Sequence, residues 1–380
     1  MTIPSQRHLF DVPRHVAWFN CASSSPQLNA ARERLTHSVA AKSHPWTRSP
    51  ADYFTSAEAI RVLCAEAIGG EADGYAVVPS ASYAIATAAR ALEPMLGAGD
   101  EIVMMAEEFP SLVLAFRRVA AERGASMVVV PVPPDGDWTA AIGARIGPRT
   151  RVAAISSCHW TNGALVDLVP IARACRDAGA ALVVDGTQTI GAMPFDFAAV
   201  DPDFVAISGY KWMLGQYGVS YFYAAPRWRA ARPLEEAWLA REGAEDFANL
   251  VRPSERYLPG ARRFEMGEKG HALLAGSLAG LEQLRAWTVS AIARSLARIN
   301  ERIAQAARES GFRVPPAALR CPHMFGAEIP ARIEGDLVAA LREREVYVSR
   351  RGRALRFSPH LHVDDADVDR VVEALRLLAS

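Results

Sequence analysis

Between residues 76 and 223, short apolar runs alternate with stretches of helical pattern, and few folds accommodate that order. Strands are expected at 76–78, 101–105, 126–132, 152–156, 181–184, 204–207 and 219–223, with helices at 83–92, 112–123, 139–146 and 170–178 among them. Runs this uniformly apolar are buried on both faces, so they read as a mainly parallel sheet covered by helices. Ligands of such α/β sheets sit beyond the carboxyl ends of the strands. The residues that follow each strand are therefore where chemistry is expected. Ahead of this region, 1–16 reads as an arm and 16–19 as a short strand ending in the small polar loop 20–26, with helices at 28–41 and up to 68. From about residue 226 the pattern changes. Residues 230–260 are irregular, 270–308 read as long helical sequence, and strands at 325–329, 346–348 and 354–357 mix with helices at 335–343 and 364–378. Asp364, Asp365 and Asp367 open that last helix, where the helix dipole favours negative charge. The expected division is a large domain at 17–257 and a smaller α+β domain made of 1–16 and 258–380.

Composition narrows the function. The 42 basic residues balance 42 acidic ones and half of the chain is hydrophobic, so charge offers no argument for nucleic acid or an anionic membrane. The N-terminus lacks the apolar core of a signal peptide and no apolar run approaches the length of a membrane span, so a cytoplasmic protein is expected. Cys21, Cys64, Cys158, Cys175 and Cys321 are scattered without metal-ligand spacing and read as reduced core residues, with no metal site.

Three strand-end segments carry candidate chemistry. Lys211 stands between the apolar runs 204–207 and 219–223, with Gly209, Gly215 and Gly218 allowing tight turns around it and Ser208 and Tyr210 beside it. An amine among apolar and aromatic neighbours is disfavoured in its charged form, which suits a Schiff-base lysine; a surface lysine on a hairpin loop is the plain alternative. After 76–78 comes Pro79-Ser80-Ala81-Ser82, small residues at a helix start that can gather around a phosphate or simply cap the helix. After 181–184 comes Asp185-Gly186-Thr187-Gln188, and a carboxylate closing a buried strand needs a cation or donors, unless it is only a cap. Together these segments ask for one ligand with a phosphate, a ring nitrogen that profits from a carboxylate, and an aldehyde that condenses with lysine. Pyridoxal 5'-phosphate has all three. Asp185 would keep the ring nitrogen protonated, Gln188 would donate to the ring oxygen, and Ser82 and Ser208 would hold the phosphate. Neither G-x-G-x-x-G nor G-x-x-x-x-G-K-[ST] follows the first strand, which argues against a nucleotide-binding domain.

The segments VVPSASYAIA, MMAEEFPS, SSCHWTNGALVDL, VVDGTQTIG, ISGYKWMLGQYGVSYFY, RRFEMGE and LRFSPHLHV, in that order, resemble the class V aminotransferase family of fold-type I pyridoxal-phosphate enzymes. That family includes cysteine desulfurases, selenocysteine lyases, kynureninases and isopenicillin N epimerase-like proteins. The resemblance runs from about residue 17 to residue 378. It implies an α/β fold with a mainly parallel seven-stranded sheet in the large domain, a smaller α+β domain, and a homodimer with a shared active site. By position it makes Lys211 the Schiff-base lysine, Asp185 the partner of the pyridinium nitrogen and Gln188 the partner of the phenolic oxygen. Ala81 through its backbone, Ser82, Ser208 and Tyr210 fall on the phosphate cup, and Phe109 falls where a ring stacks on the cofactor. Arg356 matches the arginine that clamps the substrate α-carboxylate, a task its planar fork suits. Asn20 and Ala22 fall on the loop that approaches the substrate. His159 and Trp160 stand near an asparagine of the desulfurases, implying a bulkier or aromatic substrate side.

Two departures qualify the resemblance. Residues 345–355 contain no cysteine where sulfur-transferring members carry their nucleophile, and Cys321 lies too far upstream, so a persulfide-forming desulfurase is not expected. Glu268 follows Gly267 where many members place a phosphate-binding threonine from the partner subunit; a carboxylate there needs Arg262, Arg263 or Lys269 to intervene. The expected function is aminotransferase-type or C–S/β-elimination lyase chemistry on an amino acid, by way of a quinonoid. An amino-acid epimerase and a non-catalytic regulatory protein on the same fold are the alternatives.

Overall fold

The computed structural model of the chain describes residues 2–379. In chain order its strands are β1 (Ala17–Trp18), β2 (Tyr75–Val78), β3 (Glu101–Met105), β4 (Ser126–Val130), β5 (Thr150–Ser156), β6 (Ala181–Asp185), β7 (Phe204–Ser208), β8 (Ser220–Ala224), β9 (Phe325–Glu328), β10 (Val346–Tyr347), β11 (Ser349–Arg351) and β12 (Ala354–Phe357). Seven of these form one sheet in the order β2-β8-β7-β6-β5-β3-β4, and only β8 runs antiparallel to its neighbours. This is the mainly parallel seven-stranded sheet expected from the sequence. Helices Ala81–Leu92, Pro110–Arg123, Trp138–Gly143 and Leu168–Ala178 return the chain between strands, as parallel pairing requires.

Side chains alternate across this sheet and divide its core in two. Val77, Val103, Ile155, Val184 and Val205 pack into one apolar cluster, while their neighbours Val78, Ile102, Ala154, Val183 and Phe204 pack into another on the opposite face. Period-two geometry sends successive residues to opposite faces, so a strand with both faces covered must be apolar throughout. Burying each such valine or isoleucine stabilises the fold by roughly 1.5–3 kcal/mol.

A third cluster holds the second half of the chain together. Strands β11, β12 and β9 form an antiparallel sheet packed against helices Val289–Glu309 and Asp365–Ala379, around Phe325, Leu355, Phe357, Ile303 and Val371. Strand β1 pairs in parallel with β10, so Ala17 and Phe19, which the sequence places with the larger part, pack in this third cluster and carry the polar loop at 20–26 with them. The helical stretch at 270–308 is two helices, His271–Trp287 and Val289–Glu309, broken at Thr288 with φ of 65°. No glycine or proline marks that break. No helix among the described residues is long and apolar enough to cross a membrane.

The segment that carries Lys211 leaves the sheet between β7 and β8, whose ends Ser208 and Ser220 are register partners. The excursion is held closed by Gly215 N donating to Gly209 O at 2.8 Å. A methyl group on Gly209 would overlap the carbonyl oxygen of Val219, which is backbone and cannot swing away. Gly209→Ala is therefore expected to destabilise the protein by about 1–3 kcal/mol in urea unfolding. Gly143→Ala, whose methyl group meets nothing within 4 Å, is the control expected to be neutral or mildly stabilising.

Candidate active site

Strands β5, β6 and β7 lie side by side and end at Ser156, Asp185 and Ser208. A cavity of about 260 Å³ opens at these carboxyl ends. All of the residues that the sequence places around a cofactor line it: Ala81, Ser82, Phe109, Asp185, Gln188, Ser208, Tyr210 and Lys211. Chain topology explains the convergence, because each residue ends a strand, lies in the turn that follows one or stands at a helix start, at the carboxyl ends of the strands.

The Lys211 amine meets ring faces. Its Nζ lies 5.8 Å from the Phe109 ring centroid and 5.6 Å from that of Tyr210, which itself stacks on Tyr217. Burial pushes its pKa down to about 8; Asp185 opposes the shift, while Arg356 and Arg351 add to it. The chain has three lysines, Lys42, Lys211 and Lys269. Lys42 is exposed and Lys269 is ion-paired to Glu265 at 2.5 Å, which leaves Lys211 as the lysine in the cavity.

Around this amine the polar groups are specifically held. Asp185 is buried, which raises its pKa, and its Oδ1 accepts from Thr187 N at 2.9 Å. Gln188 Nε2 donates to Ala22 O at 3.0 Å and its Oε1 accepts from Trp212 Nε1 at 2.9 Å, so one N–H of the amide is left to give. Ser80 caps helix Ala81–Leu92 through Tyr83 N, and the first-turn amides that follow, which no helix satisfies internally, belong to the cavity-lining Ala81 and Ser82. Ser82 and Ser111 share a hydrogen bond of 2.7 Å there. Capping by Ser80 thus leaves first-turn amides at the cavity, the kind of donors that an anion could meet.

The expected substrate residues separate. Arg356 is 1% exposed and donates to Trp160 O at 2.6 Å and Ser23 Oγ at 2.9 Å, with Asn20 Oδ1 at 3.5 Å; burial lowers its pKa to about 10. Trp160 lines the cavity, with its indole N–H bonded to Glu107 O and its ring set edgewise to Phe109. Ala22 is buried and acts through its carbonyl on Gln188. His159 does not line the cavity. Its Nδ1 bonds with Thr161 Oγ1 and its Nε2 with Ala106 O, and its ring stacks on Trp138, so it is a satisfied packing histidine. Glu268 is exposed, and two of the cations expected to shield it are committed elsewhere, Arg262 to Glu58 and Asp73 and Lys269 to Glu265.

Several groups escaped the sequence. Ser111, Ser156, Cys158, Thr187 and Tyr217 also line the cavity. Cys158, Cys321 and His323, far apart in the chain, bring one ligand atom each to within 4.8 Å of the others. All five cysteines are free and buried, and burial raises the Cys158 thiol well above its ordinary value, leaving it protonated and weakly nucleophilic. Glu108 is buried and accepts from Phe109 N and Ser156 Oγ, both at 2.8 Å. Burial, with Asp185 nearby, pushes it up to about 7. The visible signal was the pair Glu107-Glu108 one residue beyond a buried strand.

These shifts give two pH dependences. Glu108 titrates higher in the folded chain than its ordinary 4.5, so its contribution to stability is full below that value and is lost as pH rises through about 7. Glu108→Gln should flatten that part of the urea-midpoint profile of the cofactor-free protein. The Lys211 amine becomes neutral through about 8, so its rate of modification by an aldehyde should rise to a plateau there rather than above 10.5.

Comparison with known proteins adds an independent line. Residues 22–370 match the family model for class V aminotransferases. The isopenicillin N epimerase of Amycolatopsis lactamdurans is 28% identical over 342 residues, covering 82% of this chain and 82% of that protein. A cysteine desulfurase of Dickeya dadantii is 29% identical over 195 residues, covering 51% of this chain and 46% of that protein. Among solved structures, a C-DES variant with glycine covalently linked to its pyridoxal-phosphate cofactor superposes with a TM-score of 0.88 at 20% identity, covering 98% of this chain and 99% of that one. The cystine C–S lyase C-DES with its product cysteine persulfide superposes with a TM-score of 0.86 at 21% identity, covering 96% and 98%.

Proposed function

The chain belongs to the class V aminotransferase family, and from that premise we propose that its cavity binds pyridoxal phosphate and acts on an amino acid as a transferase or lyase. The observation that carries this reading is the Lys211 amine, buried in the cavity against ring faces, with its pKa lowered to about 8. The surrounding groups fit the cofactor. A buried carboxylate, Asp185, and a cluster of serines at a helix start occupy the same small cavity as that amine.

When bound, the cofactor supplies an electron sink for charge developed at the substrate α-carbon. Lys211 would hold it through the amine, which is neutral in a larger fraction than an ordinary lysine at neutral pH. Asp185 would keep the ring nitrogen protonated, and Gln188, oriented by Ala22 O and Trp212, would present its remaining N–H to the ring oxygen. Ser82, Ser208, Tyr210 and the Ala81 amide would hold the phosphate. Arg356 would clamp the substrate α-carboxylate with a guanidinium already fixed by Trp160 O and Ser23 Oγ. Once the substrate amino group has taken its place on the cofactor, the freed Lys211 amine would serve as the base for the α-proton, a role that its lowered pKa of about 8 suits. Phe109 and Trp160 would lend apolar ring surface to this region.

Epimerisation is the second reading, and what favours it is the similarity to isopenicillin N epimerase over most of both chains. A persulfide route has less support, because the cavity thiol, Cys158, is buried and protonated. A cytoplasmic homodimer with a shared site belongs to the same proposal; Tyr217, 63% exposed, and Phe109, 38% exposed, at the cavity are surfaces that a second copy would cover.

A panel of amino acids offered to the cofactor-loaded protein in deuterated water separates the branches. Keto acid with conversion of the cofactor to its amine form indicates a transferase, keto acid with the cofactor unchanged a lyase, and inversion with α-deuterium uptake an epimerase. Lys211→Ala should abolish all three; turnover that survives it would remove Lys211 from the mechanism. Arg356→Ala should raise the Michaelis constant for α-amino acids by about 10²-fold, the worth of two hydrogen bonds to a charged group. An unchanged constant would place the substrate elsewhere.

A further inference from the structure

Strands β11 and β12 bring a second arginine to the side of Arg356. Their register pairs Ser349 with Arg356, Arg350 with Leu355 and Arg351 with Ala354. Residues 349, 351, 354 and 356 therefore share one face of the hairpin, while Leu355 on the other face is buried in the apolar core. Arg351 and Arg356 are diagonal neighbours on that shared face, a relation that places such residues roughly 7–8 Å apart.

Two guanidinium groups at that spacing repel each other unless an anion lies between or beside them. Neither has a carboxylate among the described residues. Arg356 is bound to Trp160 O, Ser23 Oγ and Asn20 Oδ1. Arg351 donates from Nη1 to Arg350 O at 2.8 Å, and its guanidinium lies over the Trp160 ring, 5.7 Å from the centroid. The Nε atoms of both are buried without a partner. Elsewhere the chain pairs its arginines freely with acids, as at Arg61 with Glu265 and Arg262 with Asp73. Both Arg351 and Arg356 act on the Lys211 amine, which puts their positive charge on the reaction side of the small domain.

An α-carboxylate accounts for Arg356 and leaves Arg351 over. We propose that Arg351 is a subsite for a second anionic group, so that the substrate is an amino acid whose side chain ends in a carboxylate or similar oxyanion, an inference that rests on the cavity being an amino-acid site. The Trp160 ring holds the Arg351 guanidinium by a cation–π contact. With Phe109 edge-on to it, the same ring offers apolar surface to the carbon chain that joins the two anions.

The test is a titration of the cofactor-loaded protein with matched acid and amide pairs, aspartate with asparagine and glutamate with glutamine, followed by visible absorbance. Succinate and butyrate are compared by calorimetry, which needs no turnover. The acidic member of each pair is expected to bind at least about tenfold more tightly, the worth of one hydrogen bond to a charged group. Arg351→Gln should erase that preference and Arg351→Lys should keep part of it. Equal affinity for acid and amide in the native protein, or a preference that survives Arg351→Gln, overturns the subsite. A response to neutral amino acids only also overturns the subsite while leaving the amino-acid site standing. No response to any amino acid overturns both.

Discussion

An ammonium group buried among rings is unfavourable unless it loses its proton or finds a counter-charge, and much of this site can be understood from how the chain handles that constraint at Lys211. Strands β7 and β8 hold the lysine segment between two buried antiparallel edges, and the close approach of Gly209 to Val219 O fixes the excursion. Asp185 is near enough to favour the charged amine, but burial and the two arginines of β11 and β12 outweigh it. The amine is left poised rather than paired. Lys269, bound to buried Glu265, shows what this chain does with a lysine that serves structure.

The second half of the chain supplies the other charges. Strand β1 pairs with β10, and the loop that follows it reaches Gln188 through Ala22 and Arg356 through Ser23. The same short segment thus orients the Gln188 amide and the Arg356 guanidinium, the groups proposed to meet the cofactor and the substrate. Loosening the third apolar cluster around Phe19, Phe325 and Phe357 would therefore reach the reaction through two hydrogen bonds at once.

Much of this was legible in the sequence, and the reason is the parallel sheet. Strands buried on both faces are apolar throughout, so Asp185 and Ser208 stand out as the first polar residues at their carboxyl ends. The misses have equally physical causes. His159 and Trp160 are adjacent, but the chain turns there, and only Trp160 faces the cavity while His159 packs on Trp138. Strand β11 is Ser349–Arg351, whose polar side chains carry no apolar pattern. The helix break at Thr288 has no glycine or proline to announce it. Glu108 owes its raised pKa to burial and to Asp185, a residue distant in the chain, and the grouping of Cys158 with Cys321 and His323 is likewise tertiary.

The scarcity of lysine makes one measurement decisive. Pyridoxal phosphate added to the purified protein, reduced with borohydride and followed by peptide mass mapping, marks whichever amine holds the cofactor, and among the lysines only Lys42, Lys211 and Lys269 can compete. A phosphopyridoxyl label on the peptide containing Lys211, in a ratio near one per chain, is the predicted result. A label on Lys42 or Lys269, or none on Lys211, would contradict the assignment of the cavity as the cofactor site.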